Sequence, residues 1–221
     1  MSHHALYRDR ADAGRQLASR LADRYGGRGD VLVLGLPRGG VPVAYEVACA
    51  LQAPLDVLIV RKLGAPGHKE YAIGAIAGGG VTILDREAID ALQVSASTLE
   101  AIAAAEHEEL NRREQRYREG KPLPDMKDQV VILVDDGLAT GATMSAAVAA
   151  VRQQAPAAIV AAVPVGSEEA CNRLRTEVDE LLCLATPSMF RAVGLWYDHF
   201  GQTSDEEVRQ LLAQRRKSIS S

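Results

Sequence analysis

Two adjacent carboxylates, Asp135 and Asp136, follow an uninterrupted apolar run at Val130–Val134. Such a run is typical of a buried parallel strand, and open α/β sheets bind ligands at the carboxyl ends of their strands. Small residues then fill most of positions 137–143, and this loop opens a predicted helix. The N–H groups and the dipole at a helix N-terminus favour an anion. The pattern therefore predicts carboxylates for hydroxyl groups or a metal ion beside a cradle for a phosphate, and a sugar phosphate fits both halves.

Two threonines, Thr140 and Thr143, add hydroxyl donors to this loop. A nucleotide-binding P-loop would need a lysine before the final Ser or Thr, and none is present at that position. The alternative interpretation is a structural strand–turn–helix with a capping threonine and two solvated aspartates.

The 14-residue string VVILVDDGLATGAT resembles the phosphoribosyl-pyrophosphate signature of the type I phosphoribosyltransferases. The resemblance implies that Asp135 and Asp136 are catalytic and hold the ribose 2′- and 3′-hydroxyls, directly or through Mg²⁺ and water. Good resemblance covers about Val31–Ile76 and Val130–Asp205. The resemblance to the family also implies that the 5′-phosphate is held by five consecutive residues, namely Ala139, Thr140, Gly141, Ala142 and Thr143.

The chain departs from one branch of this family at Ala139. Hypoxanthine–guanine-type members carry an aspartate there, which is often proposed as a general base, whereas adenine-type members resemble this chain. The resemblance therefore assigns no general base within the loop. Hypoxanthine–guanine-type members also place a lysine just after the preceding core strand, where this chain has Pro164-Val165-Gly166. This difference argues against a 6-oxopurine acceptor.

A glycine-rich turn, Gly35–Gly40, follows the first predicted core strand. In the family this position is the pyrophosphate loop, and Arg38 is the matching basic, catalytic group. The resemblance assigns pyrophosphate binding here to Pro37, Arg38, Gly39 and Gly40. Some members have a non-proline cis peptide in this loop, and the matching bond is Pro37–Arg38. The alternative is a plain glycine-rich turn.

A second basic pair, Arg61 and Lys62, stands where a strand spanning residues 55–60 is predicted to end. By position it resembles basic residues that contact the pyrophosphate in relatives, although a solvated strand end is the alternative. The polar segment Leu63–Tyr71 contains Gly and Pro, so it is predicted to be a mobile loop. By position it matches the family's flexible loop, which closes over the reacting centre.

The segment Ala185–Gly201 contains both phenylalanines and the single tryptophan of a chain with only 4% aromatic residues. By position it resembles the hood that binds the acceptor base. We expect Phe190 to stack on the acceptor, with Trp196 beside it and Asp198 as a polar partner. The alternative is a small satellite core under the last helix.

Apolar strand-like runs alternate with helical patterns along the rest of the chain, which predicts an α/β fold with a mostly parallel sheet and helices on both faces. We expect a single domain over residues 1–221, with a hood at 185–201 and a charged helical insertion at 85–120. The insertion has a thin apolar stripe and possible i,i+4 ion pairs. The predicted strands are 31–34, 55–60, 130–134, 158–163 and 180–184, with a hairpin at 72–77 and 81–84, and the predicted helices are 8–25, 41–51, 143–154, 167–176 and 205–214.

Composition narrows the function further. The chain has 221 residues, 47% of them hydrophobic, and a formal net charge of −4, which argues against nucleic acid as a partner. Three cysteines, Cys49, Cys171 and Cys183, are far apart in sequence and predict a reduced, cytoplasmic setting. No apolar run approaches the length of a membrane span, and the N-terminus does not resemble a signal peptide.

Two functions follow from the resemblance. The first is transfer of ribosyl 5-phosphate from phosphoribosyl pyrophosphate, with Mg²⁺, to a nitrogenous base or similar small-molecule acceptor. The second is a non-catalytic regulatory module that binds phosphoribosyl pyrophosphate or a nucleotide. The habit of the family predicts a homodimer in either case.

Overall fold

The structure is a computed structural model that describes residues 5–219, apart from the side chains of residues 69 and 70. A 3₁₀ turn at Val193–Trp196 precedes the last helix. In chain order the elements are α1 (Arg10–Tyr25), β1 (Val31–Gly35), α2 (Gly40–Leu51), β2 (Leu55–Val57), β3 (Val60–Ala65), β4 (His68–Ala77), β5 (Val81–Leu84), α3 (Arg86–Ala91), α4 (Ala96–Arg118), β6 (Val130–Val134), α5 (Ala142–Arg152), β7 (Ala158–Val165), α6 (Glu168–Leu174), β8 (Glu180–Ala185) and α7 (Asp205–Ile219).

The central sheet has five strands within the described residues, in the order β2-β1-β6-β7-β8, and all of its pairings are parallel. Successive side chains of a strand point to opposite faces. Val33, Ile132 and Val160 stand side by side in the register and pack with residues of α1, α2 and α7. The intervening residues, such as Val131, pack against α5 and α6. Helices therefore cover both faces, and the predicted α/β architecture is confirmed.

The first departure from the predicted elements lies after Val57. The strand predicted over residues 55–60 ends there, and the chain then enters a separate antiparallel sheet with the order β3-β4-β5. Arg61 and Lys62 consequently lie inside β3, and the prediction that they end a core strand is wrong. Leu58 and Ile59, which connect β2 to β3, are buried although they pair in neither strand. The mostly apolar pattern of residues 55–60 therefore does not indicate that the first strand ends at Val57.

The predicted mobile loop Leu63–Tyr71 is also wrong, because most of it belongs to the β3–β4 hairpin. Its Gly and Pro residues mark the turn rather than a long loop: Gly67 has a φ of +75°, a conformation that glycine adopts readily. The second hairpin is confirmed, with β4 and β5 joined through Gly79 and Gly80 at φ +82° and +77°.

The insertion forms two helices, α3 and α4, and α4 packs on the small sheet and against α7. Its thin apolar stripe buries Leu110 and Tyr117. Arg118 at its C-terminal end is also buried, at 2% exposure, where it pairs with Asp56 of β2 at 3.0 Å and donates to the Val57 carbonyl at 2.5 Å. A buried ion pair therefore ties the insertion to the edge of the central sheet.

The hood segment 185–201 is held by residues close to the start of the described chain. The amides of Leu6 and Tyr7 donate to the Trp196 carbonyl at 2.9 and 3.1 Å, and the Asp198 amide donates back to the Tyr7 carbonyl at 2.9 Å. The predicted first helix therefore begins at Arg10 rather than at residue 8, because the residues before it are used in this pairing. Among the described helices, none has the length and hydropathy to cross a membrane.

Candidate functional site

Asp135 and Asp136 leave the C-terminal end of β6 at the centre of the parallel sheet. The Asp135 Oδ1 atom accepts a hydrogen bond from the Asp136 amide at 2.8 Å. Asp136 turns toward α1, where its Oδ2 atom lies 2.8 Å from Nε of Arg10, and both side chains are at most 15% exposed. Sequence reasoning missed Arg10, because the ion pair spans 126 positions in the chain.

Arg10 is itself fixed by the hood. Its Nη1 atom donates to the Gly201 carbonyl at 2.6 Å, and its guanidinium carbon lies 3.9 Å from the centre of the Phe200 ring. The Tyr197 hydroxyl donates to the backbone carbonyl of Asp136 at 2.6 Å. The hood therefore holds Asp136 at two points, its carboxylate through Arg10 and its backbone carbonyl through Tyr197.

The two carboxylates differ in their electrostatics. Burial raises the pKa of Asp135 well above its ordinary value, and the negative charge of Asp136 raises it further. Burial also raises the pKa of Asp136, but the hydrogen bond and the charge of Arg10 oppose this change. Arg10 thus favours the ionised form of Asp136 against the effect of burial, whereas an added cation would favour the ionised form of Asp135.

The phosphate-binding residues predicted from the sequence, 139–143, form the end of a loop and the first two residues of α5. Gly141 caps that helix with a φ of +74°. The loop is supported from behind by α6, since Ser167 Oγ donates to the Ala139 carbonyl at 2.7 Å and Arg173 donates to the Thr140 carbonyl. A cavity of about 160 Å³ is lined by Asp135, loop residues 137–144 and Val193. The first turn of a helix has N–H groups without intrahelical partners, so this cavity suits an anion.

The turn after β1 meets the carboxylates directly. A Cβ atom on Gly40 would lie 2.6 Å from the Val134 carbonyl oxygen and 2.8 Å from the Asp135 Cα, so any larger residue would push the two loops apart. The Pro37–Arg38 peptide is cis, as the resemblance predicts. The Arg38 side chain points toward α7, with its Nη1 atom 3.7 Å from Oδ1 of Asp205. The predicted pyrophosphate turn and the carboxylates therefore form one continuous surface.

Arg61 and Lys62 are not brought together. They are consecutive in β3, so their side chains point to opposite faces of the small sheet. Arg61 forms an ion pair with Glu106 of the insertion helix α4, and Lys62 is exposed. Only one of these two residues can therefore face the same side as α4.

The three predicted acceptor residues have different environments. The rings of Phe190 and Trp196 stack with their centres 6.5 Å apart, and Trp196 is only 6% exposed because it packs in a small cluster with Tyr7 and Val165. Phe190 is half-buried, and Asp198 is exposed. A satellite core therefore exists and Trp196 lies in it beside Phe190, but it packs against α1 and the ends of β7 and β8 and not under the last helix, as the alternative had predicted.

The two carboxylates of this site could bind a metal ion. Among the described side chains, no group of three or more His, Cys, Asp or Glu is placed to hold a metal. Asp135 and Asp136 nevertheless fit Mg²⁺, which commonly binds through one or two carboxylates and completes its shell with water and substrate phosphates.

Three comparisons with known proteins bear on this site. The family model described as a phosphoribosyl transferase domain matches residues 4–193. A Mycobacterium tuberculosis protein with a provisional phosphoribosyl transferase name, found in strains CDC 1551 and H37Rv, is 46% identical over 215 residues, which is 97% of this chain and 48% of the relative. The chain thus spans about half the length of these curated relatives.

A crystal structure of the protein TT1426 from Thermus thermophilus superposes with a TM-score of 0.83 at 45% sequence identity. The match covers 94% of this chain and 98% of the other. The α/β architecture and the elements that carry the site are therefore those of an experimentally determined relative.

Proposed function

Because the chain belongs to the phosphoribosyl transferase domain family, we propose that it transfers the ribosyl 5-phosphate group of phosphoribosyl pyrophosphate to a nitrogenous base or similar small acceptor and releases pyrophosphate. One observation carries the proposal: β6 places Asp135 and Asp136 beside the loop 139–143 at the start of α5. A donor that carries ribose hydroxyls and a 5′-phosphate would use both.

The carboxylates would hold the ribose. Asp135 and Asp136 accept hydrogen bonds from its 2′- and 3′-hydroxyls, and Arg10 orients Asp136 through their ion pair. The backbone N–H groups of residues 139–143, with the hydroxyls of Thr140 and Thr143, hold the 5′-phosphate. These contacts fix the anomeric carbon between the acceptor and the departing pyrophosphate.

The departing pyrophosphate would lie over Pro37, Arg38, Gly39 and Gly40. Asp135 and Asp136 would hold Mg²⁺, which would supply positive charge to neutralise part of the charge on this group. Arg38 shares that task, and removal of one well-placed electrostatic stabiliser costs on the order of 10²–10³ in rate. A further basic contact to the pyrophosphate would come from Arg61 or from Lys62, whose side chains lie on opposite faces of β3.

The acceptor would lie against the hood. Phe190 offers a half-buried ring for stacking and Asp198 an exposed carboxylate, while Trp196 supports Phe190 from below. Stacking of this kind selects a flat ring but does not distinguish one base from another.

A second candidate function is a regulatory module that binds the donor without turnover. It is favoured by two observations: Arg61 already forms an ion pair with Glu106, and the loop 137–143 contains no carboxylate to act as a base. Tight binding of phosphoribosyl pyrophosphate without pyrophosphate release, across a panel of purine and pyrimidine bases, would favour this module over the transferase.

The test is the double variant Asp135→Asn with Asp136→Asn. We expect it to abolish pyrophosphate release and to weaken binding of phosphoribosyl pyrophosphate, measured by calorimetry with Mg²⁺. The matched control is Asp23→Asn with Asp90→Asn, which removes the same charge from two exposed positions and should leave both quantities unchanged. Donor binding and turnover like those of the wild type in the first double variant would overturn the assignment of the site.

A further inference from the structure

Arginines from two separate elements meet at Asp205, the first residue of α7. Arg38, from the pyrophosphate turn, lies 3.7 Å from its Oδ1 atom, and Nη1 of Arg116 in α4 lies 2.9 Å from its Oδ2 atom. The Tyr117 hydroxyl donates to Oδ1 at 2.5 Å. That bond, followed by the charges of Arg116, Arg38 and Arg113, lowers the pKa of Asp205. We call Arg38, Arg113 and Arg116 the arginine cluster.

The arginines in and beside the cluster outnumber the carboxylates with which they form ion pairs. Asp205 is shared by Arg38 and Arg116. The nearby Glu109 is shared by Arg113 and Arg112, with nitrogen–oxygen distances of 2.7 Å to each. With Arg112 added to the three arginines of the cluster, four guanidinium groups pair with two carboxylates, in a chain whose overall charge is −4. The surplus lies beside the turn to which the pyrophosphate is assigned.

The cluster is also accessible. The side chains of Arg38, Arg113 and Arg116 are 36%, 41% and 51% exposed. The Asp205 carboxylate joins Arg38 to Arg116 in the way that an anion with two or three oxygens would. Guanidinium groups bind phosphate oxygens through paired, charge-assisted hydrogen bonds, so a phosphate group is the natural competitor for this position.

We propose that Arg116 and Arg113 of the insertion helix α4 extend the pyrophosphate site, with a phosphate group of the donor or of free pyrophosphate displacing the Asp205 carboxylate from Arg38 and Arg116. This inference rests on the proposed function and assigns the insertion a role in it. The insertion would add positive charge where negative charge accumulates on the departing group. Arg116 is then a binding residue for pyrophosphate and not for the ribose 5-phosphate half of the donor.

The test compares two ligands on the full chain. Isothermal titration with inorganic pyrophosphate and Mg²⁺ reports on the arginine cluster, and titration with ribose 5-phosphate reports on the loop 139–143. The variants are Arg116→Gln, which removes the charge, and Arg116→Lys, which keeps it. Arg152→Gln is the matched control, since Arg152 is 46% exposed and also has one aspartate partner, Asp179, at 2.9 Å.

We expect Arg116→Gln to weaken pyrophosphate binding about tenfold, the usual order for a hydrogen bond between charged groups. Arg116→Lys should lose less, ribose 5-phosphate should bind every variant as it binds the wild type, and Arg152→Gln should change neither affinity. Unchanged pyrophosphate binding in Arg116→Gln, or an equal loss of both ligands, overturns the role of Arg116. If the wild-type chain binds neither ligand, the proposed function itself fails.

Discussion

At the scale of single residues, the site depends on an asymmetry between two neighbouring aspartates. Asp136 has a guanidinium partner in Arg10, whereas Asp135 accepts from the Asp136 amide and is raised in pKa by burial and by the charge of Asp136. Two carboxylates in contact are costly when both are ionised. Arg10 reduces this cost on one side and leaves Asp135 as the group that gains most from an added cation.

Removal of Arg10 should therefore harm both the fold and the site. We expect Arg10→Gln to lower the free energy of unfolding by about 3 kcal/mol, because the largely buried Asp136 loses its charged partner. Urea unfolding measures this loss. The control is Arg15→Gln in the same helix, where the side chain is 49% exposed and its ion pair with Glu46 is 3.2 Å long, and no measurable change is expected.

A second variant distinguishes loss of the Arg10–Asp136 ion pair from any other effect of the substitution on stability. Arg10→Gln combined with Asp136→Asn should be more stable than Arg10→Gln alone, since no buried charge is then left without its partner. Equal stability of Arg10→Gln and Arg15→Gln would show that the ion pair does not hold Asp136.

The sequence predicted the carboxylates but not their partner. Asp135 and Asp136 are adjacent and follow an apolar strand, so local pattern is enough to find them. Arg10 stands in the first turn of an amphipathic helix, where an arginine is ordinary, and only the fold brings it to the end of β6. Gly40 was predicted as part of a turn, but its close approach to Asp135 is a tertiary contact that local sequence does not indicate.

At the scale of elements, ion pairs as well as apolar contacts hold the insertion helix α4 against the rest of the fold. The sequence of α4 allows three i,i+4 pairs, namely Glu108–Arg112, Glu109–Arg113 and Glu114–Arg118. The last two form, whereas Arg112 pairs with Glu109 at i,i+3. Arg118 reaches further, into the buried space beside Asp56. The position of α4, and with it the arginine cluster, depends on this contact.

Arg118→Gln tests that attachment. We expect a loss of about 3–5 kcal/mol in the free energy of unfolding, because the buried Asp56 carboxylate loses its close charged partner and keeps the Val57 amide at 2.7 Å and a longer contact with Arg216 at 3.9 Å. The control Arg112→Gln changes an exposed arginine of the same helix and should have no measurable effect. Chemical denaturation compares the two. A variant at Arg118 as stable as the one at Arg112 would contradict the attachment.

The sequence predicted most elements, and it missed contacts between them. Each of the five core strands was located because it is apolar, but the end of β2 was placed three residues late because Leu58 and Ile59 are buried without pairing in that strand. Cys171 and Cys183 look unrelated in sequence. In the fold α6 and β8 bring both sulfur atoms beside Gly166, and the neighbouring Cys183 thiol lowers the pKa of Cys171 to about 7.

At the scale of the whole molecule, the hood is completed by distant parts of the chain. Tyr7 pairs with Tyr197 across the hood, packs against its ring with centres 5.4 Å apart, and donates its hydroxyl to the Pro164 carbonyl at 2.7 Å. The alternation of strands and helices predicts the sheet but contains no sign of this pairing. The homodimer and the cytoplasmic location predicted from the sequence remain predictions.

Tyr7→Phe tests whether this segment fixes the hood. The buried Pro164 carbonyl would lose its donor, so we expect a cost of about 1–2 kcal/mol in the free energy of unfolding. The amide of Asp198, which donates to the Tyr7 carbonyl, should also exchange its hydrogen faster. Tyr71→Phe is the control, because that ring is 54% exposed. Equal exchange at Asp198 in both variants would show that the segment does not stabilise the hood.

The contact between Arg10 and Gly201 has a consequence for the order of events during synthesis. The two residues are 191 positions apart. At ribosomal rates of roughly 5–20 residues per second, Arg10 is synthesised about 10–40 s before Gly201. Until then Arg10 has neither the Gly201 carbonyl nor the Phe200 ring against it. The central sheet can assemble while the chain is still growing, but the second carboxylate is fixed only near the end of translation of these 201 residues.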